Sequence, residues 1–204
     1  MTAPDRPKSL GEAAQRTSRI ALLSQEHVRP LTAFVEALRK ETGREQIPYF
    51  DPLDGGTRAE CLFVLEAPGP RAVASGFVSR NNPDETAKNW FELNAAAGIP
   101  RESTITWNIV PWYIGSGGRI RAANRADIEA GLPHLERLLT LLPRLRVIAL
   151  VGRKAETAGN WMRQRRPELQ VFYLPHPSPL FVNRKPGNRD RLLRGLIQVR
   201  EALA

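Results

Sequence analysis

Apolar runs of strand length recur along the chain at residues 61–65, 104–110, 145–151 and 170–174. Between them, segments 84–97, 124–142 and 153–165 carry helical patterns, and a last helix is expected over 188–203. This alternation predicts a parallel sheet with crossover helices, and so a three-layer α/β/α sandwich around a central four-stranded parallel sheet. Upstream, Val28, Leu31, Val35 and Leu38 form a helical stripe that stops before Gly43, while residues 48–56 read as a turn-rich segment wrapping the core. Residues 1–10 are rich in Pro, Asp, Arg and Lys with nothing to bury. They are expected to be disordered, leaving a single domain over 11–204.

Two of these strand ends lead into proline-locked loops. Glu66-Ala67-Pro68-Gly69 follows the first run, and His176-Pro177-Ser178-Pro179-Leu180 follows the last, 110 positions later. In an α/β protein such loops carry polar side chains to the carboxyl edge of the sheet, where ligands bind. Pro177 and Pro179 each fix a φ angle, so His176 and Leu180 are presented with little entropy left to lose.

Composition narrows the partners. With 204 residues, 42% of them hydrophobic, the chain can bury one core, and its net charge of +9 creates a positive field suited to a polyanion. The same excess of Arg also fits a solvated surface, so charge alone leaves both readings open. Cys61 is the only cysteine and lies inside an apolar run, which excludes a disulfide framework or a multi-thiolate metal site within one chain. With three scattered histidines besides, no metal and no other cofactor is expected. No stretch approaches the roughly 20 apolar residues of a membrane span, and Met1 to Leu10 lacks a signal-like apolar core. A cytosolic monomer without an obligate protein partner is expected.

Three motifs in order resemble those of the uracil-DNA glycosylase superfamily: Leu65-Glu66-Ala67-Pro68-Gly69, Trp107-Asn108-Ile109-Val110-Pro111 and His176 to Leu180. The resemblance covers roughly residues 61 to 200, and three motifs together are far more specific than one. It implies a glycosylase that hydrolyses the base–sugar bond of uracil in DNA. It departs from the branch with a Gly-Glu-Ala-Pro-Gly first motif, because that branch holds an iron–sulfur cluster on four cysteines.

The resemblance also implies roles. Asn108 reads the base, since its amide complements uracil and opposes cytosine. Phe77 is the stacking platform, and Ala67 and Gly69 border the pocket. His176 donates to uracil O2 as the bond breaks, a task for which a neutral imidazole suffices, its tautomer set by whatever accepts from the second ring nitrogen. Leu180 fills the gap left by the extruded base. Apart from the resemblance, Gly152 can expose its backbone amide to phosphate at a helix start, with Arg153 and Lys154 adding charge, and Ser178 and Arg184 are expected to contact DNA as well. Ala67 stands where the best-known branches place a water-holding Asp or Asn. Glu66 is the nearest carboxylate and either orients water or shapes the loop as an amide or salt-bridge acceptor. Gly69 replaces a Tyr that blocks thymine in one branch, so exclusion falls to Trp90, to Trp112 or to neither. Gly115-Ser116-Gly117-Gly118 reads as a phosphate nest or as a plain connection. Two alternatives remain: a glycosylase for another deaminated base such as hypoxanthine, and a DNA-binding protein of this fold without the chemistry.

Overall fold

The computed structural model describes residues 5–116 and 119–204. In chain order its strands are β1 (Tyr49–Phe50), β2 (Cys61–Leu65), β3 (Phe77–Val78), β4 (Thr104–Asn108), β5 (Gly115–Ser116), β6 (Arg119–Ile120), β7 (Val147–Val151) and β8 (Gln170–Leu174). The α-helices are α1 (Ala13–Ile20), α2 (Arg29–Thr42), α3 (Pro70–Ser75), α4 (Glu85–Ala96), α5 (Arg125–Leu139), α6 (Arg153–Glu156), α7 (Gly159–Arg165), α8 (Pro179–Val182) and α9 (Asn188–Leu203).

The central sheet is entirely parallel, in the order β4-β2-β7-β8, with Leu65 opposite Asn108 and Val151 opposite Leu174. Its inner strands are continuous apolar runs because helices cover both faces. Strand alternation divides them. Leu62, Val64, Ile105, Trp107, Ile148 and Leu150 join the core built with α2 and α5, whereas Cys61, Phe63, Val147, Ala149 and Val151 join the core built with α4 and α9. This is the expected three-layer α/β/α sandwich. Helix α5 lies very close to the chain leaving β4, since a Cβ added at Gly131 would stand 1.9 Å from the Ile109 carbonyl oxygen.

Several boundaries differ from expectation. The run 104–110 is strand only to Asn108, although Ile109 and Val110 still donate to the Leu65 and Glu66 carbonyls at 2.8 and 2.9 Å. Strand β7 begins at Val147, because Leu145 is held in a turn by its N–H bond to the Leu142 carbonyl. The segment 153–165 splits into α6 and α7, where the Ala158 N–H makes a tighter bond, to Ala155 at 3.0 Å.

The expected disorder of residues 1–10 is corrected for residues 5–10, while 1–4 lie outside the described residues. Leu10 is buried and its N–H donates to the Asn81 carbonyl; the Asn81 amide donates to Asp5 and to the Arg6 carbonyl, each at 2.8 Å. Polar anchors, not apolar burial alone, fasten this segment.

Residues 48–56 wrap the core as expected and carry an ion network besides. Phe50 stacks on Trp107 at 4.0 Å, and buried Asp51 pairs with Arg19 and, at 2.6 Å, with Arg101. Arg101 also reaches Asp54 at 2.8 Å and Asp5 at 2.6 Å. Among the described residues, no helix is long and apolar enough to cross a membrane.

Candidate active site

Outside the carboxyl ends of the sheet lies a cavity of about 400 Å³, lined by residues that include Glu66 to Ala72, Thr106, Asn108, His176 and Pro177. The two loops singled out in sequence thus border one space. Strands β4 and β8 stand three spacings apart, about 14 Å, so Asn108 and His176 approach from opposite sides with the Glu66 loop between them.

Asn108 ends β4 and is 3% exposed. Trp107 points into the α2/α5 core, so period two turns Asn108 and Thr106 to the other face, toward the cavity. The Asn108 amide makes no hydrogen bond to the protein among the described residues, and neither does the Thr106 hydroxyl. Each is free to meet a ligand. Thr106 went unnoticed in the sequence because a strand Thr is ordinary; only the face it shares with Asn108 marks it.

His176 leans over Gly152. A Cβ at Gly152 would lie 3.1 Å from the His176 Cβ, and φ there is +86°, so this approach requires glycine. The Ser178 N–H donates to His176 Nδ1 at 3.2 Å. The expectation that an acceptor orients the ring is therefore corrected: a donor does, which puts the neutral imidazole's proton on Nε2. Burial pushes the His176 pKa below its ordinary value, favouring that neutral form. From α4, Asn89 Nδ2 donates to the Pro177 carbonyl at 2.9 Å and ties the loop to the scaffold.

Glu66 Oε1 accepts from the Ala123 N–H at 2.6 Å, just before α5. Of the two roles open in the sequence, loop shaping occupies this oxygen, while Oε2 has no partner among the described residues. Ala67 and Gly69 line the cavity, and a Cβ at Gly69 would meet nothing within 4 Å. No side chain blocks that point. Trp90 borders the cavity, whereas Trp112 lies in a separate groove.

Phe77 is not brought to the cavity. Val78 and Ser79 form that wall, and Phe77 is buried with its ring 6.4 Å from Tyr49. Within β3 neighbouring residues face opposite ways, so Val78 borders the cavity while Phe77 turns away from it.

Leu180 is 85% exposed at the start of α8, with Val182 buried beneath as its anchor. Ser178 is the N-cap residue of that turn. Gly152 cannot offer its amide to DNA, because that N–H is buried and bonded to the Leu174 carbonyl at 2.7 Å, which corrects the expectation of a free amide there. Arg153 and Arg184 are exposed and Lys154 half-buried; none makes an ion pair among the described residues. Arg71, exposed on the cavity wall, belongs with them and was missed because no motif includes it. Gly117 and Gly118 of the glycine-rich loop lie outside the described residues; Gly115 and Ser116 pair with β6.

The remaining candidates for chemistry are packing groups. Burial pushes the Cys61 thiol far above its ordinary range, His27 bonds to the Pro52 carbonyl, and His134 packs edge-on against Trp112. Among the described residues no cluster of His, Cys, Asp and Glu could hold a metal ion. One cysteine cannot build the four-thiolate cluster of the related branch.

A family model described as the uracil DNA glycosylase superfamily matches residues 52–198. The chain belongs to that superfamily. Its fold is similar to that of a crystal structure of wild-type Pedobacter heparinus SMUG2, with a TM-score of 0.56 and 15% identity over 88% of this chain and 86% of that one. No curated protein sequence matches the chain. Superfamily membership makes it a DNA glycosylase, a hydrolase of base–sugar bonds acting on DNA.

Proposed function

We propose that this glycosylase removes uracil from DNA and leaves an abasic site. One observation carries the reading: the unpartnered amide of Asn108 and the Nε2–H of His176 face one cavity from opposite sides. A uracil nucleotide rotated out of the stack fits between them. Asn108 Oδ1 accepts from N3–H and Nδ2 donates to O4, whereas cytosine would oppose donor to donor and acceptor to acceptor. His176 donates to O2.

As the bond between C1′ and N1 breaks, both electrons pass to the base. The resulting anion is stabilised by the His176 donor, and the sugar acquires oxocarbenium character. Water bonds to C1′, and the proton it loses ends on the uracil anion, giving the abasic sugar and neutral uracil. The free oxygen of Glu66 is the nearest carboxylate suited to orient that water, with its other oxygen held by Ala123. Leu180 occupies the space vacated in the duplex.

The test is single-turnover excision of uracil, hypoxanthine, thymine and cytosine from labelled oligonucleotides by the parent and by His176→Ala. Fastest release of uracil is expected, with the variant slowed about 100- to 1000-fold at nearly unchanged DNA affinity. A variant with a near-native rate would remove His176 from the mechanism. Faster release of hypoxanthine would assign a larger base, for which the open space at Gly69 and the Thr106 hydroxyl leave room.

A further inference from the structure

A second concavity, about 500 Å³, is lined by Arg44, Trp112, Tyr113, Ser116, Arg119 and Arg121, and shares Ile120 with the first. The two therefore adjoin, with the 44%-exposed Ile120 side chain as the wall between them. Arg44 stands with its guanidinium 4.7 Å from the Trp112 ring centroid. Arg121 is held by both oxygens of Asp127, at 2.5 and 2.8 Å. Arg44 and Arg119 form no ion pair among the described residues, so the groove keeps an uncompensated positive charge. The Tyr113 hydroxyl is buried there without a hydrogen-bond partner among the described residues.

Position adds meaning to charge. The groove follows β4, at one edge of the sheet, while Leu180 follows β8, at the other. A strand whose base occupies the cavity has the wedge on one flank and this groove on the opposite flank.

We propose that the groove binds a backbone phosphate of the DNA strand that carries the extruded nucleotide, on the flank away from Leu180. Arg44 and Arg119 supply the charge. Trp112 holds Arg44 in place, and the Arg121–Asp127 pair braces the rim. The proposal rests on the DNA-glycosylase reading and adds a binding site to it. Removing a phosphate contact lowers affinity in a salt-dependent way without touching the reacting atoms.

Arg44→Gln and Arg119→Gln, both at exposed positions, are measured for oligonucleotide affinity across a salt series and for single-turnover excision at saturating DNA. Each variant should bind about 3- to 10-fold more weakly, and its salt slope should fall by about 0.7 on single strands or 0.9 on duplex. The saturated excision rate should not change. Oligonucleotides shortened on one side of the lesion should abolish the difference between parent and variant, while shortening on the other side should preserve it. Unchanged affinity and slope would overturn the proposal, as would a loss confined to the saturated rate. A parent that neither binds nor cleaves DNA would overturn the functional reading itself, an outcome distinct from either.

Discussion

At the amino end of β4, Arg101 is shared among Asp5, Asp51 and Asp54, Arg80 donates to Thr104, and Asp51 also holds Arg19. At the carboxyl end the Asn108 amide, the Thr106 hydroxyl, one Glu66 oxygen and His176 Nε2 meet no protein partner among the described residues, and Arg71, Arg153 and Arg184 form no ion pairs. One end of the sheet pairs its charges internally, Arg80 Nε alone among the named groups standing off at 3.9 Å from Asp54 without a hydrogen bond; the other leaves its polar groups for a substrate. A buried charge is costly unless paired, and pairing within the protein is what a structural network requires. A preorganised, unpartnered donor gains its full value when charge develops beside it, so the second end is where chemistry belongs.

The largest effect that would test this contrast is Arg101→Leu. Removing one member of a buried ionic network leaves carboxylates without their partner, at a cost of about 3–5 kcal/mol, or a fall in Tm of roughly 6 to 20 °C. Below the lowered Tm the excision rate should stay near that of the parent. A variant that keeps its Tm but loses the rate would place Arg101 with the site, against the division drawn here.

A smaller effect is expected for Leu180→Ala, in the opposite currency of activity rather than stability. An 85%-exposed leucine adds little to folding, so unfolding should shift by no more than about 0.5 kcal/mol. Burying that side chain in the duplex is worth about 1.5–3 kcal/mol, which predicts a loss on the order of 10- to 100-fold from duplex DNA. Single strands need no extrusion, and there the rate should hold. Equal losses on both substrates would make Leu180 a packing residue of its loop.

The same contrast separates what could be read from the sequence. Continuous apolar runs specify a covered sheet, so β2, β4, β7 and β8 were visible, and the motifs named Glu66, Asn108 and His176. The amino-end network was not visible, because its partners stand far apart in sequence: Arg101 is 50 positions from Asp51, and Asn81 is 76 from Asp5. Periodicity reports which residues are apolar, not which polar atoms meet. Within the site, choices of one residue or one atom escaped the sequence. Val78 rather than Phe77 lines the wall, the Gly152 amide serves Leu174, and the Ser178 N–H orients His176. Each depends on where a backbone bond points.

The smallest effect concerns pH, and it divides the two ends again. Burial lowers the His176 pKa below 6.5, so the neutral ring, with Nδ1 accepting from Ser178 and Nε2–H free to donate, persists as pH falls to that value. Single-turnover excision should therefore change by less than about twofold between pH 8 and pH 6.5, as far as His176 controls it. Its effect on folding has a definite sign. The unfolded chain binds a proton near 6.5 and the folded chain does not, so His176 erodes stability as pH drops below that point. At the amino end Asp51 acts in a more acid range. Burial pushes its pKa up, but Arg101, Arg19 and the Ser79 hydroxyl together pull it below 3.8. The stability it contributes is present above 3.8 and is lost only as pH falls toward its lower, folded value. Unfolding free energy and excision rate measured over one pH series should thus part company, with a stability loss from His176 beginning near 6.5 and the loss from Asp51 only in stronger acid, where protonation of Asp54, whose pKa burial raises, acts with the opposite sign. A steep loss of stability already at pH 6 would mean that His176, not the Arg101 network, dominates the fold's response to acid.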